Sequence, residues 1–376
     1  MIYFDNAATT PVLPEVAETL LSSLTEVYGN PSSIHAPGRS AAKLLRESRE
    51  KIAELLEVPA SSLVFTSGAS EANNTAIISY ALANIEQGRH IVTTAIEHPS
   101  VLEAMRYLEM RFGFEITTVT PDSKGNLSAG RILSAVRADT ILLSVMMANN
   151  ETGQLLPVQE IGEMLSQIEN IAFHVDAVQA MGKIPVLPQK IGADFLSASA
   201  HKFHGPKGVG LLYHSPEVKF DRLIHGGRQE DNHRAGTENL ASIAAMARAL
   251  EVDYQHLDEN YAKVEKLRER LLSNLAAENI DYYENRFGSE NLPHVLNLGF
   301  PGADNALLLT KLDLAGFAVS TGSACTAGAV LPSHVLDAIY GPDSPKLEEN
   351  LRISLSELNT IEEIDLFTAA LKTCLK

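Results

Sequence analysis

Cysteine is scarce in this chain: two residues, Cys325 and Cys374, among 376. Two thiols do not make a disulfide framework, so the stapled secreted folds are set aside. Long apolar runs are missing too, and no segment is expected to span a bilayer. The opening stretch "MIYFDNAATTPVLPE" lacks the basic start and apolar core of a secretory signal. Positive charge is in deficit. Thirty Lys and Arg face 47 Asp and Glu, a formal net charge of -17. That balance disfavours nonspecific contact with nucleic acid, and no direct nucleic-acid binding is expected. A locally basic run, "GRSAAKLLRESREK" (Gly38 to Lys51), reads as a solvated helix face of mixed charge. Together these absences lead us to expect a soluble protein in a reducing, cytoplasmic setting with no membrane partner.

What is present is ordinary globular composition, 45% hydrophobic, in a chain long enough for a large core and two domains. Between about Ser61 and Ser215, short apolar runs alternate with helical patterns. "SLVFTS", "HIVTTA", "EITTVT", "TILLSVMMA", "IAFHVDA", "DFLSASA" and "GVGLLYH" read as strands, several of them apolar on both faces. Strand and helix in alternation imply an α/β fold, with a mostly parallel central sheet flanked by helices. A helical stretch from about Asn239 to Glu278 is expected to carry the chain into a second unit. There "HVLNLGF" and "AGFAVSTG" look like strands, and "DNALLLTKLDL" and "TIEEIDLFTAALKTCLK" like helices. The expected division is a large domain over residues 15–254. A smaller α+β C-terminal domain would comprise residues 1–14 and 255–376.

Ligands of an open parallel sheet sit beyond the carboxyl ends of its strands. The residues just past those ends are unusually polar here. "TSGASEANN" (Thr66 to Asn74) turns at a glycine and starts a helix. Its free N–H groups and the Ser70 hydroxyl suit a phosphate, although the motif taken alone is better explained as a plain strand–Gly–N-cap connection. "HVDAVQ" places Asp176 at an apolar strand end, where a carboxylate is expensive unless a cation meets it or it caps a helix. Gln179 could share its face. In "FLSASAHKFHGPKGVG", Lys202 sits directly at a strand end beside His201, whereas Lys207 lies in a turn. A lysine nucleophile needs partial burial and nearby cations to lose its proton, and Lys202 fits that need better. The competing reading for Lys202 is a snorkelling surface lysine. An aspartate, a lysine, a phosphate cradle and a histidine after "IEHPS", each past a different strand, together suggest pyridoxal 5'-phosphate.

The chain resembles the cysteine desulfurases of the NifS/IscS type, within the fold-type-I pyridoxal phosphate transferases. The resemblance rests on "YFDNAATTP", "GNPSSIHAPGR", "TSGASEANN", "EHPSV", "NNETG", "HVDAVQ", "SAHKFHGPKGVG", "RAGTEN", "STGSAC" and "LRISL", in that order along nearly the whole length. It implies that Lys202 binds the coenzyme aldehyde covalently and that His98 stacks on the ring and assists proton transfer. Asp176 would pair with the ring nitrogen and Gln179 with the ring hydroxyl. The backbone of Ala69, with Ser70, Ser199 and His201, would hold the phosphate. Thr237 would reach the phosphate of a neighbouring subunit, so an active homodimer is expected. Arg352 would clamp the carboxylate of L-cysteine, and Asn150 would help at the carboxylate and ring side. No metal is implied. Ser70, Ala235 and Ser356 stand where the family often has Thr, Ser and Gly.

Cys325 lies among small, turn-prone residues, a setting expected to be a mobile loop rather than a packed core. Cys374 lies in the last amphipathic helix. Cys325 is therefore the expected nucleophile, taking sulfur from L-cysteine as a persulfide, with L-alanine as the other product. The persulfide would pass to a sulfur acceptor, an iron–sulfur scaffold or a tRNA-thiolating enzyme. An aminotransferase acting on serine or alanine, a selenocysteine lyase and a non-catalytic binding module are the alternatives.

Overall fold

The computed structural model describes residues 1–322 and 332–376. Twelve strands are found among them. β1 (Ile2–Tyr3) is followed by β2 (Leu63–Thr66), β3 (His90–Thr94), β4 (Glu115–Val119) and β5 (Thr140–Met146). Then come β6 (Ala172–Asp176), β7 (Phe195–Ser199) and β8 (Gly210–His214). The last four are β9 (Tyr283–Glu284), β10 (Val295–Gly299), β11 (Phe317–Ala318) and β12 (Asn350–Ser354).

Seven of these build the central sheet, in the order β2-β8-β7-β6-β5-β3-β4. β8 runs antiparallel to both β2 and β7, and the remaining pairings are parallel. β5, β6, β7 and β8 are buried along their whole length, as strands covered on both faces must be. One face packs against a large core that includes Ile52, Phe173 and Ile243. The other packs against Ile77, Val101 and Phe195. The parallel arrangement brings the carboxyl ends of β2, β3, β5, β6 and β7 to one edge. A close backbone approach shapes that edge. A Cβ on Gly210 would stand 2.6 Å from the Gly68 Cα, so the turn after β2 can lie against β8 only because both positions are glycine.

A second core gathers Phe4, Val264, Leu267, Leu298, Leu351 and Phe367 around the antiparallel sheet β12-β10-β9. β1 pairs with β11 and delivers Phe4 into this core, where it meets Phe317 and Phe367 edge-on or stacked.

Two sequence expectations need amendment. The long helical stretch is two helices, Leu240–Gln255 and Leu257–Ala277, with His256 between them out of helical geometry. The first is buried on most sides by small residues in the large core, and the second offers only a stripe of Val264, Leu267, Leu271 and Leu275 to the other core. One straight rod cannot serve both packing directions. "AGFAVSTG" pairs as a strand only over Phe317–Ala318. The basic run lies in the helix Ala36–Leu56, with exposed Lys43–Glu47 and Arg46–Glu50 pairs, as a mixed solvated face should. No helix among the described residues is long and apolar enough to cross a membrane.

Because Phe4 is fully buried between two aromatic rings, Phe4→Ala should destabilise the fold by about 3–5 kcal/mol. A fall in the urea midpoint, measured by circular dichroism, checks this. An unchanged midpoint would mean that β1 does not tie the second core together.

Candidate active site

Lys202 ends a single 3-10 turn, Ala200–Lys202, that leaves β7. Its Nζ donates to the carbonyl oxygens of Ala7 at 2.6 Å and Ala8 at 2.8 Å. The segment "YFDNAATTP" therefore folds over the strand ends, and Thr10 fastens it by donating N–H and O–H to the His201 carbonyl. Burial, then the positive charges of Arg352 and Lys183, push the Lys202 amine down to about 8; Asp5 and Asp176 oppose the shift. Lys207 is exposed on its turn, as the sequence suggested.

Asp176 is buried at the end of β6. Its Oδ1 accepts the Val178 N–H at 3.0 Å, and its Oδ2 accepts the Asn73 amide at 2.8 Å. Neither oxygen forms an ion pair among the described residues. The carboxylate is held by neutral dipoles, a costly state unless a cation shares the cleft. Asn73 also donates to Ser100 Oγ at 2.9 Å, and Ser100 Oγ lies 2.8 Å from His98 Nδ1. His98 caps the helix Pro99–Phe112 by accepting the Ser100 N–H, which places its own ring proton on Nε2. Desolvation lowers the His98 pKa; Asp176 opposes the shift, while Lys202 and His334 add to it.

Gln179 is buried beside Lys202, and its amide donates to the same Ala7 carbonyl at 3.0 Å. Its Oε1 is buried without a partner among the described residues. Past β2, Ala69 begins a helix with no side-chain cap, so its first N–H groups are free, and Ser70 is exposed there. Ser199 Oγ is the nearest atom to the space a Gly68 Cβ would fill. His201 Nδ1 lies 3.2 Å from Thr9 Oγ1; burial, with Lys202, Lys207 and Lys183, pushes its pKa down to about 4. A neutral imidazole, two hydroxyls and uncapped amides thus gather at one end of the cleft. A carboxylate without an ion pair among the described residues stands on a neighbouring strand, and an acceptor unpartnered among them lies beside the lysine. These residues fit pyridoxal phosphate: phosphate, protonated ring nitrogen and ring hydroxyl each have a chemically suited partner.

Arg352 is buried in the middle of β12. Its Nη2 lies 2.8 Å from Asp5 Oδ1, its Nη1 donates to the Asn150 carbonyl at 3.1 Å, and its Nε has no partner among the described residues. Each Nη keeps a second N–H, so the fork is oriented without being used up. Asn150 thus reaches the site through its carbonyl. Thr237 is exposed beside Gly236 and forms no hydrogen bond with the other candidates among the described residues. Cys325 lies outside the described residues. Cys374 is half-buried at the end of the helix Ile361–Cys374, where it packs against the second core. Asp5, Asn73 and Ser100 escaped the sequence reading. All three fall inside recognised motifs, but nothing local reveals which way their side chains turn.

The aminotransferase class-V family matches residues 2–367. The chain is 44% identical to the putative cysteine desulfurase IscS 1 of Bacillus subtilis (strain 168), over 96% of this chain and 95% of that protein. A solved structure described as a NifS-like protein is 39% identical, with a TM-score of 0.92, covering 99% of this chain and 98% of its own. A solved structure described as SspA in complex with cysteine is 33% identical, with a TM-score of 0.82, covering 94% and 99%. The fold is accordingly that of the fold-type-I pyridoxal phosphate enzymes, and the chain belongs to the aminotransferase class-V family.

Proposed function

We propose that this chain is a cysteine desulfurase that converts L-cysteine to L-alanine and carries the released sulfur as a persulfide on Cys325, with pyridoxal phosphate as coenzyme. The observation that carries this reading is the buried Lys202 amine, held by the Ala7 and Ala8 carbonyls, in the same cleft as the buried Asp176, which forms no ion pair among the described residues. The similarity to proteins named cysteine desulfurase selects among the reactions such a cleft supports.

When bound, the coenzyme supplies an electron-withdrawing ring that acidifies the Cα–H of an attached amino acid. Asp176 would keep the ring nitrogen protonated, with Asn73 fixing the carboxylate for that task. Gln179 Oε1 would accept the ring hydroxyl. The Ala69 backbone, Ser70, Ser199 and His201 would hold the phosphate, and Thr237 would serve the phosphate of the second subunit in a homodimer. His98 would cover the ring. Lys202 would hold the aldehyde, and its amine, pushed down to about 8, could accept a proton at the substrate Cα. Arg352, with Asn150, receives the substrate carboxylate on its remaining N–H groups.

The Cys325 thiolate attacks the substrate sulfur. An S–S bond forms, the substrate Cβ–S bond breaks, and its electron pair stays on carbon, which takes a proton to become the methyl of alanine. One thiol and L-cysteine give one persulfide and L-alanine, and no outside oxidant is needed. The smaller unit, residues 1–14 and 255–376, supplies Arg352 and Cys325, and the larger unit, residues 15–254, supplies the coenzyme residues. In the cytoplasm the persulfide passes to an acceptor protein, an iron–sulfur scaffold or a tRNA-thiolating enzyme.

Purified protein should show the absorption of bound coenzyme and form a persulfide on Cys325 when given L-cysteine, detected by mass spectrometry. Cys325→Ser should abolish persulfide while coenzyme absorption stays. Transamination of serine or alanine that survives in Cys325→Ser, with no persulfide in the parent, would favour the aminotransferase alternative. Arg352→Ala should raise KM for cysteine by about tenfold or more, the size of a lost charge-assisted pair. An unchanged KM would remove Arg352 from substrate binding. The rate at which coenzyme-free protein captures pyridoxal phosphate covalently should rise with pH and level off above about 8, where the depressed Lys202 amine is neutral. A midpoint near the ordinary 10.5 would mean that Lys202 is not the capturing amine or is not desolvated.

A further inference from the structure

Lys183, in "AVQAMGKIP", has no part in the chemistry above. It lies in the turns that leave β6, where the chain is pressed against the residues beyond β7. At Gly182 φ is +76°, and a Cβ there would stand 2.6 Å from Phe203 Cβ and 2.7 Å from Asp253 Oδ2. Only glycine fits so close. Lys183 itself is half-buried, and its ammonium turns inward to donate to the Lys202 carbonyl at 3.1 Å. The preceding carbonyl, of His201, accepts the N–H and O–H of Thr10. Two consecutive carbonyls of the turn that carries Lys202 are thus fastened, one by the N-terminal segment and one by Lys183.

A small chamber adjoins this bond, and Lys183, Lys202, His204, Asp253, His294 and Glu357 help to line it. Its free space is about 10 Å³, too little for a counter-ion larger than a water, so its charges must balance among themselves. Glu357 is committed to His204, 2.8 Å away. Burial pushes the Asp253 carboxyl up to about 8 and His294 down to about 3. Lys183 forms no ion pair among the described residues; burial pushes its ammonium down to about 8, against the pull of Asp253 and Glu357. On the other side, the Lys202 amine faces Arg352 on β12, Asp5 on the N-terminal segment, Asp176 on β6 and His98 after β3. His201, beside Lys202, feels both lysines. A desolvated ammonium whose hydrogen bond goes to the backbone of another lysine is an expensive tie, and plain packing would be served as well by methionine.

We propose that Lys183 is a positioning residue for Lys202: it fastens the turn that carries Lys202, and its charge readies the Lys202 amine to capture the coenzyme aldehyde. The proposal rests on the reading of Lys202 as the lysine that holds the coenzyme. Without the Lys183 charge, the Lys202 amine should keep its proton to higher pH, and the Asp253 and Glu357 carboxylates left behind would act in the same direction.

Coenzyme-free parent, Lys183→Met and Lys183→Arg proteins, checked for folding by circular dichroism, test this in two measurements. Trace acetylation with acetic anhydride, followed by peptide mapping, reads the pH midpoint at which Lys202 becomes nucleophilic. The rate of covalent capture of pyridoxal phosphate reads the same transition through the coenzyme. In Lys183→Met both midpoints should rise by about half a pH unit or more, which slows capture at pH 7 by about threefold or more. Lys183→Arg, which keeps the charge and the donor, should bring the midpoints back toward the parent's. A merely structural loss would lower the plateau rate at high pH and leave the midpoints in place. Unchanged midpoints in Lys183→Met would therefore overturn the role of Lys183, as would a folded Lys183→Arg that titrates with Lys183→Met. If Lys183→Met does not fold, Lys183→Gln, neutral and polar, decides the matter by the same criterion. A parent that captures the coenzyme on a lysine other than Lys202 would overturn the reading of Lys202, and this role with it.

Discussion

Two opposite charges share one cleft and do not touch. Asp176 ends β6 and Lys202 follows β7, its immediate neighbour in the sheet. Each is desolvated, and each is held by neutral partners: Asn73 and the Val178 N–H for the acid, the Ala7 and Ala8 carbonyls for the amine. A direct ion pair would relieve both and would leave no room between them. Holding them apart preserves an acid that favours a cationic ring and an amine that gives up its proton near neutrality.

That separation depends on chain distant in sequence. Ala7 and Ala8 reach the lysine because Phe4 is anchored in the second core and Thr10 is bonded to His201. Asp5 on the same segment orients Arg352, whose charge in turn helps depress the Lys202 amine. The orientation of Arg352 and the acidity of Lys202 are thus coupled through one short stretch, "YFDNAATTP". The His98–Ser100–Asn73–Asp176 chain of hydrogen bonds joins the turns after β2, β3 and β6 in the same way. The site is a set of mutually braced loop ends.

Much of this was legible in the sequence, for identifiable reasons. The inner strands of the central sheet are buried on both faces, so their runs stand out, and the polar residues past them mark the candidate ligand edge. Lys202 and Lys207 were separable because one follows a strand and the other a Gly-Pro turn. The break at His256 was not legible, since both flanking segments carry helical composition and only the two packing directions divide them. The tasks of Asn73, Ser100 and Asp5 were hidden because they depend on side-chain direction between elements far apart in the chain. Lys183 reads in the sequence as an ordinary polar residue past a glycine, and its bond to the Lys202 carbonyl arises only when the turns after β6 and β7 meet.

The most direct measurement of the central claim is reduction of the coenzyme-loaded protein with borohydride, followed by peptide mapping of the modified lysine. The account expects the label on Lys202 alone, and loss of that label in Lys202→Ala. Label on Lys183 or Lys207, or none on any lysine, would contradict it.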